Sequence, residues 1–513
     1  MHGTTASFSS DTQINARRLF VGSCLALIAT AMAFAAVGAV MAALKSEFVL
    51  TNEDVGWIGG AALWGFAVSQ LVFAPLCDTL GMRSLLRLAF VGHLLGTAIM
   101  IAADGFWMLF GGALVIALAN GLVEAACNPL IAALYPNDKT VKLNQFHVWF
   151  PGGIVIGGVA AYLLDSVGLD AWQMKLALIF LPVFAYGLLI LGEDFPETEG
   201  VAAGVSMGEM FRATFTTPLM LLMLALMAIT ASTELGPNRW VPAVLQAGGI
   251  PGILVLVWIS GLMAVLRFKA GAVVHRFSPT GVLLGSAVIS AIGLYWLSYA
   301  ETAGMAFASA TVFAIGVSYF WPTMLGFVSE RIPRSGALGL GMMGAVGMAV
   351  VGLVTSPQMG KIADRLAHEQ LPIDQTVEVL MTVEESFPVL SLTVKDAFAV
   401  DMNRAVEAAS AVLVEYEANG SLRPGATANA LRSIIDSGSA VAASGDQAAA
   451  DIVSRAGAIL GPADNYGGRL SFRYIVPFTF LLIIIFGLLY LRDRKAGGYR
   501  VEPVSSNESG GGA

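Results

Sequence analysis

Residues 106–133 read FWMLFGGALVIALANGLVEAACNPLIAA, 28 residues with a single charged side chain, Glu124. A helix needs about 20 mostly apolar residues to cross a bilayer. Lipid offers backbone amides no hydrogen-bond partner, so such a run reads as a spanning helix. Eleven similar runs lie at about 19–43, 55–76, 86–103, 146–168, 174–192, 217–236, 252–274, 281–299, 304–327, 337–360 and 474–491. They are too long and too uniformly apolar for barrel strands. The pattern predicts an all-α polytopic membrane protein with twelve transmembrane helices in two six-helix halves.

Composition agrees. Of 513 residues, 56% are apolar and 12% charged, about half the charge of an average soluble protein. Mean hydropathy is +0.74. A net charge of -8 on so apolar a chain excludes a disordered protein and argues against nucleic acid as a partner. Cys24, Cys77 and Cys127 lie in or beside apolar runs. They form no disulfide framework and no metal-ligand spacing.

The first run follows Arg17 and Arg18 and contains the cleavage-like triplet Ala33-Phe34-Ala35. Its length, and the eleven runs behind it, favour an uncleaved first span. With the N-terminus inside, sixteen Lys and Arg residues fall on inside segments, counting Arg267 and Lys269, which sit within the eighth span. The short outside loops keep Lys45 and Lys175, with Arg239 at the end of the seventh span. The positive-inside rule then places both termini in the cytoplasm. The expected location is the bacterial inner membrane, as a multi-pass protein with the lipid bilayer as partner.

The expected domains are a cytoplasmic N-terminus (1–18), an N-terminal half (19–192), a cytoplasmic linker (193–216) and a C-terminal half (217–365 and 473–495). Residues 366–472 carry 14 acidic against 6 basic side chains and so hold the whole excess charge. Ala405, Ala409, Val412, Leu413 and Tyr416 follow helical spacing there. This acidic stretch is expected to be an exterior helical insert between the eleventh and twelfth spans, with a partly ordered loop as the alternative. The Gly- and Ser-rich tail, 496–513, is expected to be disordered. The turns Ala74–Arg83 and Gly271–Thr280 fall at matching places in the halves. Such parallel repeats place a substrate site between the halves, near mid-membrane.

A charge inside the membrane is costly and marks function by default. Asn120, Glu124 and Asn128 are spaced i, i+4, i+8 on one helix face. Glu124 lies roughly 27 Å along its span. A carboxyl kept from water can carry a proton from one side to the other, and asparagines suit sugar hydroxyls. Glu234 and Asn238, with Trp240 close by, repeat the theme in the seventh span. A tryptophan can stack on a sugar ring. Arg267, roughly 22 Å into the eighth span, is positioned to pair with Glu234 or to bind substrate. Asn144 and His147 open the fifth span, and the histidine could relay protons. Trp321, in the tenth span, is a further cavity candidate. Gly339-Leu-Gly341-Met-Met-Gly344 matches a nucleotide-binding pattern, but it lies in an apolar span with no strand before it. Small residues for close helix packing explain it better. There is no P-loop, HExxH or nucleophile elbow, so neither an ATP-driven pump nor a membrane hydrolase is expected. The chain is read as no enzyme and as needing no cofactor.

Pro75-Leu-Cys-Asp78-Thr-Leu-Gly81-Met-Arg83 resembles the loop motif of the major facilitator superfamily, with Ala74 in place of its leading glycine. The run Asn120-Gly-Leu-Val-Glu124-Ala-Ala-Cys-Asn128-Pro-Leu, followed by Leu134-Tyr-Pro136 and Leu143-Asn144-Gln-Phe-His147, is similar to the fucose–glucose–galactose:proton symporter family. Thr233-Glu234, Trp240 and Arg267 are similar to that family's C-terminal half. The resemblance covers about 15–365 and 473–495. It implies alternating-access import of a neutral monosaccharide with a proton, by a monomer. It makes Glu124 the proton-linked residue, lines the central cavity with Asn128, His147 and Glu234, and makes Asp78 and Arg83, beside Gly81, a cytoplasmic gate. The first span has no ionisable group apart from Cys24, where fucose symporters carry a second acid. A sodium-coupled or uncoupled sugar carrier is therefore an alternative. A nontransporting sensor that uses the insert is another.

Overall fold

A computed structural model describes residues 14–48, 50, 52–169, 171–392, 394 and 396–503. Every regular element among them is helical. Eleven helices are long and apolar enough to cross a membrane: Ala16–Met41, Asp54–Phe73, Met82–Ile101, Phe106–Leu134, Lys139–Ser166, Trp172–Ile190, Pro218–Ala247, Ala270–Leu297, Ala303–Arg331, Pro333–His368 and Gln447–Lys495. The shorter Gly252–Phe268 supplies the eighth of twelve. Its boundary is a bend at Lys269, and helix continues beyond it. The true break is Ser278, at φ 62 and ψ 161, followed by Pro279. A left-handed serine before a proline cannot continue a helix, so the ninth span starts there. The turn after the second span uses Gly81 at φ 78, a conformation that costs glycine nothing.

The halves meet along several seams. The glycine-rich stretch of the eleventh span lies flat on the second. A Cβ on Gly341 would stand 2.0 Å from the Ala74 Cβ, and one on Gly344 2.2 Å from the Gln70 Oε1. Close helix packing therefore accounts for the false nucleotide motif. The fifth span packs on the eighth and the tenth.

Residues 366–472 fold as helices Ile373–Ser391, Asp396–Asn419, Ala426–Ala443 and the start of Gln447–Ser471. They enclose their own apolar core, which includes Phe387, Met402, Leu413, Leu431 and Ile452. Of the residues at helical spacing there, Ala405, Ala409, Val412 and Leu413 are buried, and Tyr416 is partly buried against the same core. Arg432 ties this bundle to the extensions of both neighbouring spans, through Asp364 at 2.8 Å and Asp464 at 2.7 Å.

One expectation needs correction. The tail was read as disordered from residue 496, but residues 497–503 settle against the helix ends. Tyr499 donates to the Glu330 Oε2 at 2.7 Å, and the Glu502 amide donates to the Glu330 carbonyl at 2.8 Å. The Tyr499 hydroxyl and the Glu502 amide give this stretch partners that its composition hides. Residues 504–513 of that expectation lie outside the described residues.

Candidate functional site

Pro129 interrupts the fourth span just after Asn128, and Pro237 interrupts the seventh between Glu234 and Asn238. Each removes a backbone donor and loosens its helix where a polar face turns inward. At this level a chain of polar side chains crosses from one half to the other. Glu124 (3% exposed), His147 (2%), Arg267 (2%) and Glu234 (3%) form its centre.

In the N-terminal half, Asn128 Nδ2 donates to the Glu124 Oε2 at 2.6 Å. The His147 Nε2 faces the same oxygen at 3.5 Å, while its Nδ1 lies 2.9 Å from the Leu143 carbonyl. That carbonyl can only accept, so the Nδ1 carries a hydrogen. Nε2 then meets the carboxyl as a second acceptor unless a proton lies on one of the two. The Glu124 Oε2 thus has the Asn128 amide as its donor and the His147 Nε2 as a close neighbour.

The C-terminal half is arranged differently. Arg267 donates from Nη2 to the Glu234 Oε1 at 2.8 Å, from Nε to the Ser318 carbonyl at 2.5 Å and from Nη1 to the His147 carbonyl at 3.1 Å. A guanidinium is permanently charged, and its fork suits a carboxyl partner. The third bond runs across the halves, from Arg267 to the backbone of the residue that faces Glu124.

Polar atoms left over around this chain share one character. Among the described residues, the buried Nε2 of His147, Oε2 of Glu234, and Oδ1 atoms of Asn128, Asn144 and Asn238 have no hydrogen-bond partner. All five are acceptors or able to accept. Buried polar groups are rarely left so, and a donor-bearing guest or water would satisfy them.

The structure thus gathers Glu124, Asn128, His147, Glu234 and Arg267 into one connected group. Asn144 is held by Thr323 Oγ1 at 3.1 Å across the halves. Trp321 lies buried against Gly347, and Trp240 lies over Gly360. Asn120 does not join. Its Oδ1 meets the His93 Nε2 at 2.8 Å, and the His93 Nδ1 meets the Tyr186 hydroxyl at 3.0 Å. That is a dry packing contact among the third, fourth and sixth spans. His93 was legible as an ionisable residue inside an apolar run, yet drew no attention in the sequence.

The gate motif is also rearranged. Among the described residues Asp78 meets no arginine in an ion pair; it accepts from the Thr198 hydroxyl at 2.7 Å, and Arg83 pairs with the half-exposed Asp194 at 3.5 Å. The partly buried Asp78 side chain lies near Gly200 of the linker and Gly336 at the start of the eleventh span. Burial pushes the Asp78 carboxyl above its usual range, which the Thr198 hydroxyl partly offsets. The latch that sequence reasoning missed lies nearby. The Glu330 Oε1 accepts from the Thr140 amide at 3.0 Å and its hydroxyl at 2.7 Å. Lys139 donates to Glu199 at 2.6 Å. Burial raises the Glu199 carboxyl, against the pull of Lys139. These bonds close the halves at the end that carries Asp138 and Glu330. In the sequence they looked like ordinary end-of-span charges.

The Major Facilitator Superfamily model matches residues 23–355. The chain is similar to hexose transporter HXT13 of Saccharomyces cerevisiae, 29% identical over 155 residues, or 29% of this chain and 27% of that protein. It spans about a quarter of the length of that relative. Among solved structures it is similar to FucP, a Major Facilitator Superfamily transporter in an outward conformation (TM-score 0.56, 19% identity, 67% of this chain and 92% of the other). It is also similar to the proton:xylose symporter XylE bound to 6-bromo-6-deoxy-D-glucose (TM-score 0.57, 14% identity, 69% and 90%). At these identities the structures speak for the fold.

Proposed function

Because the chain belongs to the Major Facilitator Superfamily, we propose that it is a secondary transporter that imports a neutral monosaccharide together with a proton. The single observation that carries this reading is the set of unpartnered acceptors around Glu124, Glu234 and the three asparagines. A sugar brings a ring of hydroxyl donors, and a neutral one leaves the Arg267–Glu234 pair intact. The similarity to hexose and xylose carriers points the same way.

Coupling rests on the Glu124–His147 pair. With its one proton the pair is neutral or internally compensated. Without it, two acceptors face each other in a site with little water, and the arrangement strains. Sugar binding and protonation therefore favour the same occluded state. Linked binding of this kind is reciprocal: each ligand tightens the other. The latch at Thr140–Glu330 then has to open for release on the cytoplasmic side, placed there by the lysine and arginine distribution. The same orientation puts the helical insert outside; we read the chain as a multi-pass protein of the bacterial inner membrane that works as a monomer.

A thermal-shift screen of the purified protein against monosaccharides, with and without sodium, tests substrate and ion together. A ligand that binds the folded state raises its apparent stability. A neutral hexose or deoxyhexose is expected to raise the melting temperature without sodium, more at pH 6 than at pH 8. Stabilisation only in sodium contradicts proton coupling, and no response to any monosaccharide contradicts the substrate class.

A further inference from the structure

The ends of the seventh, tenth and twelfth spans, together with the tail, enclose a cavity of about 360 Å³ that nothing in the transport cycle uses. Its chemistry is the reverse of the central site. Arg331, Arg334 and Arg492 line it, with Asp493 and Glu502 as its acids. Asp493 is already spent: it pairs with Arg331 and accepts from Thr280 Oγ1 at 2.9 Å. The Arg331 guanidinium lies over the Tyr499 ring at 4.5 Å, and its Nε is buried without a partner. Arg492 has no ion pair among the described residues. At the centre the leftover atoms are acceptors; here a buried donor and an unpaired cation are left over.

The position narrows the ligand further. The seventh span begins at Pro218, the tenth ends at Arg331 and the twelfth ends at Lys495. The cavity therefore opens where helix ends meet the headgroup layer, and Leu219 and Leu489 give it an apolar flank. Basic pockets between span ends suit phosphate headgroups, and the guanidinium fork matches phosphate oxygens.

We propose that this cavity binds a phosphate-bearing anion, held by Arg331, Arg334 and Arg492. The anion is either the headgroup of an acidic phospholipid or free phosphate. Its consequence for the cycle is direct. Arg331 follows Glu330 in sequence and stacks on the tyrosine that donates to Glu330, so an anion here steadies the closed latch.

The test uses the full chain in nanodiscs. One arm compares phosphatidylcholine discs with and without phosphatidylglycerol; the other titrates inorganic phosphate into phosphatidylcholine discs against chloride at matched ionic strength. Melting temperature is read in both. A rise with phosphatidylglycerol alone assigns a lipid site; a rise with inorganic phosphate as well assigns a site for the free anion. In either case Arg492→Gln is expected to weaken the response roughly fivefold, as the loss of one cation at the membrane surface would. Arg492→Lys is expected to fall between, because it keeps the charge and loses the fork. Arg494→Gln is the control: that side chain lies over the Tyr490 ring, outside the cavity, and is expected to leave the response unchanged. No anion-specific shift in either arm overturns the proposal. So does an equal loss in Arg492→Gln and Arg494→Gln, which would mark general surface charge.

Discussion

Two buried carboxylates, Glu124 in mid-span and Glu330 at the closed end, have opposite surroundings, and of the two Glu330 is the one that bonds across the halves. Glu330 is saturated: Thr140 supplies two donors to one oxygen and Tyr499 one to the other. Glu124 has one full hydrogen bond, from Asn128, and a histidine nitrogen at 3.5 Å whose hydrogen-bonding capacity is unspent. A saturated buried group holds a structure in place, because breaking it strands a partner. An unsaturated one waits for something. The contrast separates the latch from the working site more cleanly than burial does, since both acids are buried.

The contrast can be attacked at several points. The largest effect is expected at Arg267. Arg267→Ala leaves Glu234 as an uncompensated buried charge, which costs about 3–5 kcal/mol, and frees the His147 carbonyl. The variant is expected to lose transport and to melt many degrees lower. Adding Glu234→Gln should restore much of the stability but not transport. A double variant no more stable than the single would show that the pair does not compensate Glu234.

Glu330→Gln comes next. The amide cannot replace every bond to Thr140 and Tyr499, and a buried unsatisfied group costs about 1–3 kcal/mol. The closed end should loosen, seen as faster alkylation of a cysteine placed at Thr323. Tyr499→Phe removes one donor and should do the same more weakly, at about 1 kcal/mol. Equal or larger exposure in Tyr499→Phe would mean the tail, and not Thr140, is the main closure.

A smaller effect is expected from pH. Asp78 and Glu199 both have carboxyls raised by burial in this arrangement. Raised values mean that the closed end binds protons more tightly than an opened one. Its closure is therefore favoured at low pH and weakens as pH rises through the raised values. The same alkylation assay should show the end opening more readily as pH rises out of the ordinary carboxyl range. Asp78→Asn should flatten that dependence. A slope of the opposite sign would contradict the assignment.

The membrane body was legible because its signal is long and redundant: twelve apolar runs, punctuated by charge, leave few other folds. Glu124, Asn128, His147, Glu234 and Arg267 were legible for a related reason. A polar residue inside lipid has to be explained, and each stands in a stretch with little else to explain. Asn120 shows the limit of that logic. It shares a helix face with Glu124 by spacing, yet a buried histidine on the third span claims it. Spacing gives the face but not the neighbour. The latch was illegible because Lys139, Thr140 and Glu330 stand at span ends, where charge is ordinary, and their pairing joins positions 190 residues apart. The tail was misread because its glycines and serines outweighed the one tyrosine that docks it.

The central claim is that Glu124 shares the coupled proton with His147. The most direct measurement is sugar transport by Glu124→Gln in proteoliposomes, with counterflow and pH-driven accumulation read on the same preparation. The variant is expected to exchange sugar across the membrane while failing to concentrate it under an inward proton gradient, with exchange nearly independent of pH. Accumulation equal to that of the unaltered protein would contradict the account.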